Sequence, residues 1–272
     1  MLKRLELGAG TARAELYPGR GGLVTRFLVG DRSVLYLDEA TLLDETKNVR
    51  GGIPILFPTA GRLSGDRFLK GDESFPMKQH GFARNLPWVT EEKGPSTARL
   101  RLTSSDLTRA AFPFDFRLEF TFTVSPSALR IDQRYENRSP EPMPLHAGFH
   151  PYFALPDAEK GRTAIPTAAT RAFDNVKKSE VVFDGFDLTA PEVDLHLVDH
   201  GATAAELRAP SGTIEVRASA EFTRWVVWTL AGKDFVCLEP WTAPGNALNT
   251  GQGLLWLAPG EARSLWIEIE AR

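Results

Sequence analysis

The chain has 272 residues, of which 42% are hydrophobic and 25% are charged, an ordinary composition for a soluble globular protein. Its formal net charge is −3 and its basic residues are interspersed with acidic ones, which argues against nucleic acid or an anionic membrane surface as a partner. The N-terminal segment lacks the apolar run of a secretory signal, and no run approaches the roughly 20 apolar residues of a membrane span. We therefore expect a cytoplasmic protein, monomeric or homodimeric.

Short runs of alternating or wholly apolar residues recur along the chain, separated by turn signals. They occupy residues 14–37, 97–105, 116–125, 128–139, 212–219, 224–240 and 263–272. Helix-period segments are scarce, and the 19 prolines and 23 glycines fall mostly between the runs. The pattern predicts an all-β fold of two large packed antiparallel sheets in one domain, residues 1–272. Residues 157–200 are the least readable part, mixing loops with short strands.

The run FRLEFTFTV, residues 116–124, has the strongest strand signal. Its odd-numbered neighbours Arg117, Glu119, Thr121 and Thr123 alternate with five apolar residues. Because successive side chains of a strand point to opposite faces, this pattern predicts a strand with one buried and one solvated face.

Four stretches combine polar side chains with glycine, proline and aromatic residues, at 48–68, 79–88, 144–156 and 235–249. The last contains Cys237, the single cysteine, which excludes an internal disulfide and a multi-cysteine metal site. Its apolar neighbours in DFVCLEP predict a buried, unreactive thiol.

His146 and His150 have the i, i+4 spacing of two metal ligands on one helical face. Proline and glycine crowd the segment PLHAGFHPYFALP, so a helix is disfavoured. In an extended segment the two Cα atoms would be roughly 13 Å apart, too far to share an ion without a sharp turn. We interpret His146 as a hydrogen-bonded structural histidine and expect Tyr152 and Phe153 to wall a pocket beside His150.

Glu239 ends a strongly apolar hairpin, RWVVWTLAGKDFVCLEPWT, in which GKD supplies the turn. Pro240 predicts that regular ladder pairing stops there, but residues 239 and 241 still point to the same side. Glu239 and Trp241 could therefore face one cavity, where a carboxylate and an indole suit a sugar. The alternative is a surface glutamate next to a core tryptophan.

Four arginines lie in or near glycine-rich loops, where a backbone can approach a ligand closely. They are Arg50, Arg62, Arg67 and Arg84. One or two could bind hydroxyls or a phosphate through the planar guanidinium. Most loop arginines are simply solvated, and we expect this of Arg67.

The ordered set RGGIP, HGFAR, HPYF and LEPWTAPGNALN resembles the aldose 1-epimerase (galactose mutarotase-like) family over residues 5–270. The resemblance implies a β-supersandwich that interconverts the α and β anomers of an aldose without metal or cofactor. It implies that His150 is the general acid on the ring oxygen, Glu239 the general base on the anomeric hydroxyl, and His80 a residue that positions the sugar. The remaining expected substrate-binding residues are Arg50, Arg62, Arg84 and Trp241.

The substrate is less closely defined than the reaction. RGGIP resembles the branch of the family associated with hexose 6-phosphates, in which an arginine like Arg50 is implicated in phosphate recognition. The expected substrate is therefore an aldohexose or a hexose 6-phosphate, bound in an electropositive cleft. One alternative is a non-catalytic carbohydrate-binding protein on the same scaffold. Another is a lyase or hydrolase, although a glycosidase needs two carboxylates and only one acid here has a motif-like setting.

Overall fold

The computed structural model describes residues 3–272, which form mainly antiparallel strands with few short helices. The α-helices are α1 (Glu39–Leu43), α2 (Asp106–Arg109) and α3 (Ala247–Thr250), and short 3₁₀ helices lie at Pro18–Arg20, Ser64–Asp66, Ala83–Asn85 and Asp157–Arg162. The strands are β1 (Leu5–Ala9), β2 (Ala12–Tyr17), β3 (Leu23–Val29), β4 (Arg32–Ser33), β5 (Ile55–Leu56), β6 (Arg67–Lys70), β7 (Glu73–Pro76), β8 (Val89–Lys93), β9 (Thr97–Thr103), β10 (Phe116–Val124), β11 (Ala128–Asn137), β12 (Met143–Leu145), β13 (Gly148–Phe149), β14 (Tyr152–Ala154), β15 (Arg171–Asp174), β16 (Ser179–Val182), β17 (Glu192–Leu197), β18 (Ala204–Ala209), β19 (Gly212–Ala218), β20 (Arg224–Leu230), β21 (Phe235–Trp241), β22 (Leu255–Leu257) and β23 (Ala262–Ala271). The predicted all-β class is confirmed.

Two large sheets dominate the fold. The seven-stranded sheet has the order β18-β19-β23-β11-β10-β9-β8, and the eight-stranded sheet has the order β16-β15-β17-β20-β21-β13-β5, with β14 also paired to β21. The described residues contain three smaller sheets as well, β1-β2-β3-β4, β12-β22 and β6-β7. The prediction of two large antiparallel sheets is confirmed, and the smaller sheets are additions to it.

The alternation at residues 116–124 produces the predicted half-buried strand. In β10 every second residue is buried, and the apolar side chains enter the main hydrophobic core. β10 pairs with β11 over its whole length, and β11 pairs with β23 on its other side. Because large apolar side chains from both sheets belong to the same core cluster, the seven-stranded sheet supports the eight-stranded one from behind.

The hairpin of β20 and β21 lies inside the eight-stranded sheet, and every residue of β21 is buried. The prediction that ladder pairing stops at Pro240 is wrong. Trp225 pairs with Pro240, and Arg224 pairs with Trp241. On its other edge β21 pairs with β14 through Cys237 and with β13 through Trp241, and no residue of β13 or β14 is paired with 238–240. A proline is tolerated at this gap, because its missing N–H breaks no bond to that neighbour.

No helix among residues 3–272 is long and apolar enough to cross a membrane.

Candidate active site

A cavity of about 1290 Å³ lies against the eight-stranded sheet. All seven residues that the sequence assigns to a site contribute to its walls: Arg50, Arg62, His80, Arg84, His150, Glu239 and Trp241. They come from loops and strand ends that are up to 191 residues apart in the chain, from Arg50 to Trp241. The fold therefore brings the four chemically distinctive stretches together.

A histidine and a carboxylate form a buried pair in this cavity. His150 Nε2 is 3.3 Å from Glu239 Oε1, and both side chains are almost fully buried. β21 fixes Glu239, while His150 lies between β13 and β14 and its ring stacks on Tyr152 with the centroids 4.7 Å apart. His150 Nδ1 is buried without a hydrogen-bond partner among the described residues. The imidazole is therefore held by packing and by Glu239.

Burial works against charge on both members of the pair. It raises the pKa of Glu239 well above its usual value, and nearby Asp194 raises it further, while Trp241 and Arg84 oppose this. Burial also lowers the pKa of His150 to about 3, and the Arg84 guanidinium contributes. A low-polarity site disfavours the fully protonated, charged pair and the fully deprotonated, charged pair alike. Burial therefore favours a pair without net charge, with its proton on Glu239 rather than on His150.

His80 lies opposite this pair, with its ring centroid 5.5 Å from that of His150. The turn is fixed by two reciprocal bonds: the His80 N–H donates to the Gly61 carbonyl at 2.8 Å, and the Gly61 N–H donates to His80 Nδ1 at 3.0 Å. Because Nδ1 accepts, Nε2 carries the ring hydrogen. Burial lowers the pKa of His80 well below its usual value, with help from Arg84. His80 is thus a neutral donor in the cavity, and its Nε2 lies 3.2 Å from the side-chain amide of Gln79.

Trp241 connects the pair to the rest of the cavity wall. Its Nε1–H donates to Glu239 Oε2 at 3.1 Å, and its ring lies 5.8 Å from that of His80. As the sequence predicts from their i, i+2 spacing, Glu239 and Trp241 face one cavity. Glu239 is therefore a buried, hydrogen-bonded residue and not a surface glutamate.

The three cavity arginines that the sequence assigned to the site differ in how their charge is balanced. The Arg62 guanidinium forms two 2.6 Å bonds to Asp66 and is exposed. Neither Arg50 nor Arg84 has a carboxylate within 4.0 Å among residues 3–272, and Arg84 Nη2 donates to the Gln79 carbonyl instead. Arg50 lies 5.9 Å from the centre of the Trp228 ring. Of these three arginines, Arg50 and Arg84 therefore bring uncompensated positive charge to the cavity.

The strand β17 supplies polar residues that the sequence analysis did not identify. Asp194 and His196 both line the cavity, and His196 Nε2 is 3.1 Å from Asp194 Oδ1. Asn175 Nδ2 donates to the other Asp194 oxygen at 2.6 Å. The signal was the i, i+2 spacing in EVDLHL, which places two polar side chains on one face of a strand. It fell in the segment that the sequence analysis found least readable.

His146 lies outside the cavity wall and is fully buried. Its Nε2 is 2.9 Å from the Ala243 carbonyl oxygen, which can only accept, so Nε2 carries the hydrogen. Nδ1 then accepts from the Thr59 hydroxyl at 3.3 Å. The residues 148–149 and 152–154 are strands, so the segment is not a helix. This geometry agrees with the interpretation of His146 as a structural histidine.

Cys237 is buried, as predicted, and burial raises its pKa well above the usual value. One ligand atom each from His150, Cys237 and Glu239 lies within 4.8 Å of the other two. These three atoms are of the kinds that bind zinc. His150 and Glu239 already contact each other, however, and both the thiol and the carboxyl group favour their protonated forms, which opposes metal binding.

The fold is that of the galactose mutarotase-like proteins. A crystal structure of a protein from Synechocystis sp. PCC 6803 has a TM-score of 0.96 and 39% sequence identity, and the match covers 100% of this chain and 96% of that one. A galactose mutarotase-like protein from Lactobacillus casei ATCC 334 has a TM-score of 0.83 at 20% identity, with 99% and 100% coverage.

A model of the aldose 1-epimerase family matches residues 3–270, so the chain belongs to that family of isomerases. It is 28% identical over 174 residues to a protein of Escherichia coli K12 named "Putative glucose-6-phosphate 1-epimerase", covering 61% of this chain and 53% of that protein. A protein of the same name from Cenchrus ciliaris is 27% identical over 257 residues, with 89% and 71% coverage. The chain thus spans about half the length of the Escherichia coli relative that it matches.

Proposed function

We propose that this protein is an aldose 1-epimerase that interconverts the α and β anomers of an aldohexose or a hexose 6-phosphate. The observation that carries the proposal is the His150–Glu239 pair, with 3.3 Å between its nearest nitrogen and oxygen, buried in a large polar cavity. Mutarotation needs one group that takes a proton and one that gives a proton, and a carboxyl and an imidazole in contact supply both when the proton passes from Glu239 to His150.

Two proton transfers by this pair open and close the sugar ring. Once the proton of the pair has passed from Glu239 to His150, Glu239 takes the proton of the anomeric hydroxyl while His150 delivers its proton to the ring oxygen, so the C1–O5 bond breaks and C1 becomes a carbonyl carbon. Rotation about the C1–C2 bond presents the other face of the carbonyl. Ring closure reverses both proton transfers, which returns each group to its starting state. No net proton is gained or lost, and no other reactant is required.

The surrounding residues suit a sugar in that position. The Nε2–H of His80 can donate to a hydroxyl or to the developing carbonyl oxygen, which positions and polarises the reacting centre. The Trp241 indole holds Glu239 through its N–H, and its ring offers an apolar surface to the C–H groups of a pyranose. A sugar bound against this buried pair displaces water from it, so the two proton transfers are directed to the substrate.

Arg50 and Arg84 support a phosphate on the substrate. Neither arginine has a carboxylate within 4.0 Å among the described residues, and a guanidinium binds phosphate through charge-assisted hydrogen bonds. The names of the Escherichia coli and Cenchrus ciliaris relatives point to the same substrate class.

Polarimetry on freshly dissolved α-glucose, α-galactose and glucose 6-phosphate tests the function. The protein should accelerate the approach of at least one sugar to its equilibrium rotation, and Glu239→Gln should remove most of that acceleration. If the protein bound these sugars but accelerated none of them, it would be a non-catalytic carbohydrate-binding protein on the same scaffold.

The phosphate preference has its own test. Arg50→Ala should lower kcat/KM for glucose 6-phosphate by about tenfold or more, because a hydrogen bond to a charged group contributes roughly 1.5–3 kcal/mol, and it should affect glucose much less. Arg67→Ala is the matched control, since Arg67 is exposed, bonds to Ser74 and lies outside the cavity. Equal turnover of glucose and glucose 6-phosphate, unaffected by Arg50→Ala, would contradict a phosphate site at Arg50.

A further inference from the structure

A turn outside the cavity contacts both of the segments that carry Arg50 and Arg84. This PGRGG turn, residues 18–22, connects β2 to β3, and none of its residues lines the cavity. Its central residue, Arg20, is buried. A guanidinium stays charged in proteins, so a buried one needs hydrogen-bond acceptors close by. The acceptors of Arg20 therefore identify the part of the chain that it stabilises.

The side chain of Arg20 donates to backbone carbonyls of one loop. Nε donates to the Leu42 carbonyl at 3.2 Å, and Nη2 donates to the carbonyls of Thr41, Asp44 and Lys47 at 3.1, 2.7 and 2.9 Å. Removing the guanidinium would leave these carbonyls without their partner, which costs more than the bonds themselves contribute. Arg20 therefore fixes the backbone of residues 41–47.

The loop that Arg20 fixes ends at Arg50, in the cavity wall. The Arg50 N–H donates to the Thr41 hydroxyl at 2.8 Å, and the Arg50 carbonyl accepts from the Asp38 N–H at 2.8 Å. Thr41 is thus bound by Arg20 through its carbonyl and by Arg50 through its hydroxyl. The backbone position of Arg50 therefore depends on Arg20 through a single intermediate residue.

The other side of the PGRGG turn contacts the segment that carries Arg84. A Cβ on Gly21 would lie 2.1 Å from the Arg84 carbonyl oxygen, so only glycine permits this approach of the two backbones. The Trp88 N–H also donates to the Pro18 carbonyl at 2.9 Å. Because the turn is fixed against the Arg84 segment, the bonds of Arg20 hold the loop of Arg50 at a set position relative to Arg84.

The two segments also meet directly at one exposed hydrogen bond. Asn85 Nδ2 donates to Asn48 Oδ1 at 2.9 Å, one residue from Arg84 and two from Arg50. An exposed bond between amides exchanges readily with water and contributes little. The buried guanidinium of Arg20 is therefore the stronger connection between the two segments.

We propose that Arg20 is a positioning residue for phosphate recognition. It does not contact the substrate, and it acts by holding Arg50 where Arg50 and Arg84 can bind the same phosphate. A guanidinium binds phosphate with a fixed fork geometry, so a shift of the Arg50 backbone weakens that binding. The phosphate at Arg50 and Arg84 rests on the proposed function, whereas the contacts of Arg20 do not.

Isothermal titration calorimetry with glucose 6-phosphate and glucose measures this role without requiring turnover. Arg20→Met keeps an apolar stem and removes every donor, so it should weaken binding of glucose 6-phosphate about tenfold and that of glucose less than about twofold. Arg20→Lys keeps the charge but not the planar fork, so its loss should be smaller, about threefold.

Arg32→Met is the matched control. Arg32 Nη1 also donates to backbone carbonyls, those of Thr213 and Arg272, but Arg32 lies outside the cavity and far from the loop of Arg50 in the chain. This variant should keep the wild-type preference for glucose 6-phosphate over glucose.

A double-mutant cycle with Arg50→Ala shows whether Arg20 acts through Arg50. If it does, Arg20→Met should cause little further loss of glucose 6-phosphate affinity once residue 50 is alanine, because the positioned side chain is gone. A general loss of structure would instead give additive losses. Circular dichroism and urea denaturation show whether each variant is folded, and Arg20→Lys replaces Arg20→Met in the cycle if the latter does not fold.

Four results would overturn the role of Arg20: equal binding of the two sugars by the wild-type protein, a wild-type preference in both Arg20 variants, an equal loss for the two sugars, or additive losses in the cycle. The first would also remove the phosphate from the proposed function, while polarimetry with glucose would still test the epimerase. A selective loss in the Arg20 variants of a protein that accelerates no mutarotation would support Arg20 and refute the epimerase. Accelerated mutarotation with a preference that neither Arg20 variant alters would support the epimerase and refute Arg20.

Discussion

At the scale of single residues, the proton held between His150 and Glu239 decides the chemistry. His150→Asn and Glu239→Gln each keep the approximate size of the side chain and some hydrogen bonding but remove its proton exchange. General acid–base groups contribute roughly 10² to 10⁴ in rate, so we expect losses of that order in kcat for each variant, with sugar binding largely intact. Stopped-flow polarimetry together with calorimetric binding measures both quantities.

His146 provides the comparison histidine for that experiment. His146→Asn should retain turnover, because His146 does not line the cavity. If the His146 variant lost turnover at unchanged stability while the His150 variant kept it, the acid would have been assigned to the wrong histidine.

His146 should instead affect stability, in a way that depends on pH. His146→Asn breaks the bonds to Ala243 and Thr59 inside the core, so we expect the free energy of unfolding at pH 7.5 to fall by about 1–3 kcal/mol. Burial lowers the pKa of folded His146 from 6.5 to about 3. Between these pH values the unfolded chain binds a proton at His146 that the folded chain does not. The contribution of His146 to the free energy of unfolding therefore decreases as the pH falls below 6.5.

The difference in stability between wild type and His146→Asn should therefore narrow as the pH falls from 7.5 to 4.5, since asparagine does not titrate in this range. Urea denaturation at several pH values measures it. The other buried histidines are common to both proteins and cancel in the comparison. A difference that stayed constant or widened toward acid pH would show that His146 is not held neutral by burial.

At the scale of elements, the turn that carries His80 depends on one glycine. Gly81 has φ +69°, and a Cβ there would lie 2.2 Å from the Phe57 carbonyl oxygen. Gly81→Ala should lower the free energy of unfolding by more than about 2 kcal/mol, because left-handed strain costs roughly 1–2 kcal/mol and the backbone clash adds to it. It should also lower kcat/KM by displacing His80. Chemical denaturation and polarimetry measure the two effects.

Gly30→Ala is the matched control for this glycine. Gly30 also has positive φ, +58°, but nothing lies within 4 Å of the added Cβ. Gly30→Ala should lower the free energy of unfolding only by the strain of about 1–2 kcal/mol, and it should not affect the reaction. Equal destabilisation by the two substitutions would mean that the backbone around Gly81 moves aside freely.

The elements also show what the sequence could and could not predict. β10 was predictable because one of its faces is buried and the other solvated, which leaves a period of two in the sequence. β15, β16 and β17 were not, because they are short and carry polar residues on the cavity face, so hydrophobicity does not mark their inner side. Pairing through Pro240 was missed for another reason: the gap between β13 and β14 depends on strands distant in sequence.

The residues of the site also fall into those that the sequence could identify and those that it could not. His80, His150 and Glu239 were identified through short motifs, and the fold brings them together in one cavity. Asp194 and His196 were not identified, because two polar residues at i, i+2 acquire meaning only when the strand's neighbours are known. The same holds for the balance of charges: the sequence could not show that Arg62 pairs with Asp66 while Arg50 and Arg84 have no such partner.

At the scale of the whole molecule, the two large sheets share one core, and we expect the chain to unfold as one cooperative unit. The main apolar cluster contains residues from Leu5 to Ala271, and it includes side chains of both sheets. The last strand, β23, lies between β11 and β19 in the seven-stranded sheet, so the end of the chain is bound on both sides. Losing either sheet would expose the apolar face of the other, which makes partial unfolding unfavourable.

Two probes can follow this unfolding separately. In a variant with Trp88, Trp256 and Trp266 replaced by phenylalanine, tryptophan fluorescence reports on Trp225, Trp228 and Trp241 in the eight-stranded sheet, whereas far-ultraviolet circular dichroism reports on all strands. For a single cooperative domain the two urea transitions should coincide in midpoint and in slope. A fluorescence transition that preceded the loss of circular dichroism would instead mean that the sheet carrying the cavity unfolds by itself, and that residues 1–272 contain more than one domain.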